Sequence, residues 1–167
     1  IIECNEHINT QSDWVRGLVK AWNPSANIFN TRIQLRSAFG KSPQWNVTDC
    51  KPLTIFSFVS DAPYKGLHIL FEAVAELKHK YPQIELLIAG KVGQGVRMGG
   101  YIKYLNARAR RLGIFDSISW LGPLNSEELV FHLKKSNVAV FPSFVESYGV
   151  ALDEALTLGV PCVVSFS

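Results

Sequence analysis

Glu146 and Glu154 stand eight positions apart inside an almost wholly apolar stretch, FPSFVESYGVALDEALTLGVPCVVS, residues 141–165. A helix this apolar belongs in a core, and a carboxylate buried there is costly unless it is paired or hydrogen-bonded. Between the two glutamates, Gly149 lets the backbone approach a ligand closely. The helix expected to begin there would aim unbonded N–H groups at the same place, which makes an anion site suited to phosphate. Glu146 precedes that helix, and Glu154 lies roughly 8 Å further along it by helical rise. Carboxylates accept hydrogen bonds from paired hydroxyls. The arrangement therefore suits a ligand with hydroxyl-rich ends and a charged middle, the layout of a nucleotide sugar: ribose, diphosphate, sugar. The plainer alternative makes Glu146 a solvated loop residue and Glu154 an exposed helix position.

Whatever the glutamates do, a regular scaffold must hold them. The chain has 167 residues, 47% hydrophobic and 19% charged, which is a globular composition with room for one domain and part of another. A net charge of +3 is mild, and no basic run is interleaved with aromatics, so nucleic acid is not expected as a partner. Cys4, Cys50 and Cys162 are odd in number and scattered, which fits a reducing compartment and argues against a disulfide framework or zinc site. His7, His68, His79 and His132 show no metal-ligand spacing. No apolar run reaches the ~18 residues of a membrane span. The chain starts at Ile1 without Met and stops soon after Val163-Val164, so it is expected to be part of something longer.

Two textures divide the sequence. In residues 1–51 the segment Asp13 to Trp22 is helical, with Trp14, Val15, Leu18, Val19 and Trp22 on one face, and Asn23 to Lys51 reads as irregular. From Pro52 onward short apolar runs alternate with helical patterns. The runs are Leu53–Val59, Ile84–Ala89, Ile118–Leu121, Val138–Phe141 and Val160–Val164. Helices are expected over Gly66–Lys80, Met98–Leu112, after a cap at Asn125 or Ser126, and over Gly149–Leu158. In the second of these, Ile102, Leu105, Ala109 and Leu112 face inward and Lys103, Arg108, Arg110 and Arg111 outward. Such alternation predicts an α/β fold, a parallel Rossmann-like sheet with helices on both faces. Ligands of these sheets bind beyond the carboxyl ends of the strands, which selects loops 60–66, 90–98, 122–126 and 142–149.

The selected loops carry a known pattern. Pro142-Ser143-Phe144-Val145-Glu146-Ser147-Tyr148-Gly149, followed by Glu154-Ala155-Leu156-Thr157-Leu158-Gly159-Val160-Pro161-Cys162-Val163-Val164, closely resembles the signature of family 4 retaining glycosyltransferases. In that family a glutamate, seven residues and a second glutamate sit in a P-S-x-x-E-x-x-G…E-A-x-x-x-G-x-P-V-V setting. Upstream, YKGLHILFEAVAELKHKYPQIELLIAG and LGIFDSISWLGPLNSEELVFHLKKSNVAVFPS are similar to two further blocks of the family, in the same order. The likeness covers about residues 52–165. It implies the GT-B fold, with residues 52–167 as the nucleotide-sugar donor domain, incomplete at its C-terminus. Residues 1–51 would be the tail of the N-terminal acceptor domain and a linker.

The resemblance also implies roles. Glu146 would contact the transferred sugar near the reacting centre, and Glu154 the ribose hydroxyls. Backbone N–H groups at Tyr148, Gly149 and Val150 would hold the diphosphate, Ser147 and Ser60 would belong to the same donor site, and Lys65, before Gly66, would neutralise the diphosphate as it leaves. No cofactor and no metal is expected, because Lys65 and the helix end take the metal's place. One position departs from the pattern. Where the family has Gly-Arg ahead of that lysine, this chain has Val59-Ser60, and a hydroxyl cannot supply the missing charge. Lys91 or Arg97, in the neighbouring loop, is an alternative cation.

The activity implied is transfer of a sugar from a UDP- or GDP-linked donor to a glycan, lipid or small-molecule hydroxyl with retention of configuration. The fragment alone is expected to turn over little. A cytoplasmic location is implied, at most peripheral at the inner face of a membrane through the N-terminal domain. A non-catalytic nucleotide-sugar sensor or scaffold would keep the fold and Glu154 without the phosphate clamp. A GT-B epimerase or phosphorylase would need acid–base residues or a cofactor lysine that the sequence does not display. The glycines at 90, 93 and 95 do not form the dinucleotide fingerprint and read as a crevice loop.

Overall fold

The computed structural model describes residues 2–58, 62–91 and 99–165. Ser60, Arg97 and the glycines at 93 and 95 lie outside the described residues. Strands β1 (His7–Thr10) and β2 (Asn27–Asn30) pair in parallel around helix α1 (Asp13–Trp22). A short helix α2 (Ser37–Lys41) leads into the regular region. There β3 (Thr54–Phe58), α3 (Leu67–Lys80), β4 (Glu85–Ala89), α4 (Gly99–Arg111) and β5 (Ile118–Gly122) follow in turn. The chain continues through α5 (Ser126–Lys135), β6 (Val138–Phe141), α6 (Val150–Thr157) and β7 (Cys162–Val164).

The second sheet is wholly parallel, in the order β5-β4-β3-β6-β7. Its strands are short and apolar because both faces are covered, which leaves no place for polar alternation. One face carries α3 and α4: Leu67, Leu70, Phe71, Val74, Leu105 and Ala109 pack on Ile55, Leu86 and Ile88. The opposite face carries α2, α5 and α6: Phe39, Leu129, Leu133, Ala155 and Leu158 pack on Phe56 and Ala139. The expected α/β architecture is thus the observed one.

Two α-helix starts are capped by side chains, that of α5 at the expected Asn125. Ser12 caps α1, its hydroxyl accepting from the Val15 N–H at 3.3 Å. Asn125 and Glu128 form a reciprocal capping box at the start of α5, which leaves two fewer unbonded donors there. Three expectations need correction. The segment after Asn23 is not irregular throughout. It contains β2 and α2, which were hidden because NIFN shows no apolar run and SAFGK is a single turn and a half. Of the apolar face read on α1, only Val19 is buried, while Trp14, Leu18 and Trp22 are exposed. Arg108 does not stand free on the outer face of α4. It is mostly buried, paired with Glu72, and its guanidinium lies 5.9 Å from the Tyr104 ring centre.

Candidate functional site

Strand order decides which loops can share a site. The chain moves from β3 outward through β4 to β5, then returns to pair β6 on the other side of β3. That reversal is the topological switch point, and the loops leaving β3 and β6 must part there to open a crevice. Lys65 stands in the first loop and Glu146 in the second. The structure brings them together: Lys65 Nζ donates to Glu146 Oε2 at 2.6 Å, across 81 positions of sequence.

The two loops are also joined through backbone. The Phe144 N–H donates to the Tyr64 carbonyl at 2.8 Å. Gly66 has a left-handed φ of 74°, and a Cβ built on it would lie 1.8 Å from the Pro142 carbonyl oxygen. Only glycine satisfies both the dihedral and the contact. The Lys-Gly pair is therefore a single device, in which the glycine seats the loop against Pro142 and the lysine reaches Glu146.

Gly149 caps α6 in a left-handed conformation, φ 84°, with no side-chain cap. Its own carbonyl accepts from the N–H groups of Leu152 and Asp153 at 2.9 and 3.1 Å. Among the described residues, the N–H groups of Tyr148, Gly149 and Val150 find no acceptor. They open on a cavity of about 470 Å³ lined by Lys65, Ser143, Glu146, Ser147, Tyr148, Gly149 and Val150 among others. This volume lies in the range of small-molecule sites, roughly 300–1,000 Å³. A positive helix end, an ammonium group and a carboxylate thus face one space, competent to hold an anion beside a hydroxyl-bearing group.

Glu154 behaves differently. It is 1% exposed, which removes the reading of an exposed helix position, and it is absent from the cavity lining. Its carboxylate is gripped by Arg36, with Nε donating to Oε1 at 2.7 Å and Nη2 to Oε2 at 2.6 Å. That hydrogen bond holds the guanidinium pKa above its ordinary value, against the opposing effect of burial. The Arg36 side chain remains 44% exposed and lies over the Phe39 ring at 4.9 Å. Arg36 was not foreseen from sequence. A buried glutamate demands a partner, but nothing local points to one 118 positions away. Gln11 and Ile33 also line the cavity unannounced, carried in by the β1–β2 region.

Other groups near the site are structural. His68 Nδ1 lies 3.1 Å from the Tyr101 hydroxyl, and burial pushes the Tyr101 pKa up. Burial likewise pushes the Cys162 and Cys50 thiols up. Lys91 is exposed beside Gly90. Among the described residues no helix is long and apolar enough to cross a membrane.

Comparison with known proteins gives this geometry its setting. A D-inositol 3-phosphate glycosyltransferase of Corynebacterium jeikeium (strain K411) is 34% identical over 101 residues, 60% of this chain and 24% of the relative. The chain thus spans about a quarter of that relative's length. A sucrose-phosphate synthase of Thermosynechococcus elongatus superposes with a TM-score of 0.80 at 19% identity, over 98% of this chain and 41% of that one. Anabaena Alr3699/HepE, solved with UDP and glucose, superposes with a TM-score of 0.75 at 18% identity, over 95% of this chain and 44% of that one. These two structures share the fold. Residues 41–166, most of the chain, match the family model of the glycosyl transferases group 1. The cavity at the switch point is therefore a site on a glycosyltransferase scaffold, and the chain belongs to the group 1 glycosyl transferases.

Proposed function

We propose that this chain is the donor-binding half of a retaining glycosyltransferase that uses a UDP- or GDP-linked sugar. The observation that carries the reading is the shared cavity, where Lys65, Glu146 and the unbonded N–H groups of Tyr148, Gly149 and Val150 converge. Family membership supports glycosyl transfer, and a structure of the same fold holds UDP and glucose. In this reading residues 52–167 form the donor domain, and 1–51 the end of the acceptor domain with its linker. The acceptor is a glycan, lipid or small-molecule hydroxyl.

Each group then has a task. The N–H groups at the start of α6 bind the diphosphate, joined by Ser147. Lys65 moves from Glu146 to the phosphate oxygens, where it offsets the negative charge that grows as the glycosidic bond breaks. Glu146, released from Lys65, accepts from hydroxyls of the transferred sugar. Glu154 accepts from the ribose hydroxyls. No metal has a part in this scheme. Catalysis needs both reactants held between two domains, so the chain alone binds donor weakly and turns over little.

Calorimetric titration of the chain with UDP and GDP, then with their sugars, tests donor binding and selects the base. In the full-length protein, transfer should disappear in Glu146→Ala and Lys65→Ala, and the product should keep the anomeric configuration of the donor by NMR. Full activity in both variants would overturn the assigned roles, and an inverted product would overturn retention.

A further inference from the structure

The grip of Arg36 on Glu154 has a chemical double. A guanidinium offers two parallel N–H donors to a carboxylate, and here both Glu154 oxygens are taken in that forked manner. A ribose diol offers two O–H donors to the same pair of oxygens. The two partners therefore compete for one acceptor set, and they differ mainly in charge.

Burial shows which group covers which. Glu154 is 1% exposed, whereas the Arg36 side chain is 44% exposed. Arg36 is thus the outer member, the group a solute meets first on approaching the carboxylate. Its anchorage elsewhere is slight. It stacks on Phe39 at 4.9 Å, and its backbone stands at the extended cap of the five-residue helix α2 without a side-chain cap bond. Glu127, in the first turn of α5, also attracts it, more weakly than Glu154 does. Removing Arg36 from an unrelieved Glu154 would be costly, because a half-buried pair that loses one member leaves a charge desolvated. Two arriving hydroxyls keep both carboxylate oxygens bonded, so the cost falls to the lost charge pairing alone.

We propose that Arg36 occupies the ribose seat on Glu154 in the nucleotide-free protein and is displaced when a nucleoside diphosphate binds. The inference rests on the ribose role of Glu154 given above. Arg36 then acts as a latch that keeps the carboxylate satisfied between turnovers and lowers affinity for incoming nucleotide. It also gives the segment before α2, whose Arg32, Ile33 and Leu35 line a cleft with Asp153, Leu156 and Thr157 of α6, a reason to move when the donor arrives.

The test compares UDP with its 2′,3′-dideoxy analogue, which lacks the diol. In the unmodified chain, NMR should show the Arg36 Nε–H resonance leaving its ion-paired position on saturation with UDP and staying there with the analogue. By calorimetry, Arg36→Ala should bind UDP about tenfold tighter, a gain of about 1.4 kcal/mol, with affinity for the analogue unchanged. Preference for UDP with an unmoved Arg36 resonance, or with no tightening in Arg36→Ala, would overturn the latch and leave the ribose role intact. Equal binding of UDP and the analogue by the unmodified chain would overturn the ribose role, and the latch with it. Failure of UDP, GDP and the analogue alike to bind would reject the donor reading as a whole. Should Arg36→Ala not fold, the NMR measurement on the unmodified chain decides alone.

Discussion

Lys65 and Glu146 meet at 2.6 Å although each belongs to a different loop of the sheet's carboxyl edge. Both side chains are partly exposed, so the pair adds little to folding, of the order 0–1 kcal/mol for surface ion pairs. Its value is positional. It keeps a cation and an anion at the mouth of one cavity until a ligand separates them. Lys65→Ala and Glu146→Ala should therefore leave thermal stability nearly unchanged. On the proposed reading each should lower kcat of the full-length protein by about a hundredfold or more, as loss of a preorganised charge at a reacting centre does. Melting curves beside initial rates check the contrast, and a large fall in Tm for either variant would make the pair structural.

Gly66 and Gly149 both have positive φ, yet alanine should not affect them alike. At Gly66 the added methyl would strike the Pro142 carbonyl oxygen at 1.8 Å, whereas at Gly149 its nearest neighbour is Glu146 Cγ at 3.6 Å. Gly149→Ala carries only the dihedral cost, about 1–2 kcal/mol. Gly66→Ala must also part the two loops, so it should cost more and should weaken UDP binding. Denaturant unfolding of the two variants gives the ranking, and equal losses would show that the backbone shifts freely at Pro142.

The capping box offers a control remote from the cavity chemistry. Asn125 accepts from the Glu128 N–H at 2.9 Å, while Glu128 accepts from the Asn125 N–H at 2.8 Å. Asn125→Ala should cost about 1 kcal/mol of stability and leave nucleotide affinity where it was. A change in affinity at constant stability would instead place the loop before α5 in the binding site.

His132 sets a pH dependence. Burial holds its pKa below the ordinary value of 6.5, a lowering that the nearby Glu128 only partly opposes. The folded protein thus takes up this proton less readily than the unfolded chain. Where the unfolded imidazole is charged and the folded one is not, the unfolded state binds more protons, and stability rises with pH. The contribution is complete above the unfolded pKa and is lost as pH falls through the lower, folded one. Chemical denaturation between pH 7.5 and 5, on the original and on His132→Gln, should show a downward slope on acidification that the substitution reduces.

The strands and the helices on both faces could be read from residue 52 onward because their signals are local. An apolar run of five with a turn behind it needs no distant information to be a buried strand. The cavity glutamate, lysine and glycines were legible for the same reason, since their spacing is written in contiguous segments. Arg36 was not, because its partner lies 118 positions on and its own neighbours, QLRSAF, carry no pattern. The strands HINT and NIFN stayed hidden because each is only four residues long and neither shows an apolar alternation: in HINT the one buried residue is the polar Thr10, and NIFN has none. On α1 the apolar stripe correctly marked a helix, but amphipathicity names the face that could be buried, not the one that is.

The two ends of α6 are held very unequally. At its foot, the Trp45 N–H donates to the Leu158 carbonyl at 2.7 Å and the Gln44 amide to the Thr157 carbonyl at 3.1 Å. Gly159, just beyond, has the Gln44 side-chain oxygen 2.8 Å from where a Cβ would stand. The helix is therefore tethered at its base and midway by residues that precede the sheet, while the N–H groups of Tyr148, Gly149 and Val150 over the cavity stay unbonded among the described residues. Trimming the chain back to Pro52, where the strand–helix alternation starts, would remove both tethers at once and leave α6 to its packing on the sheet.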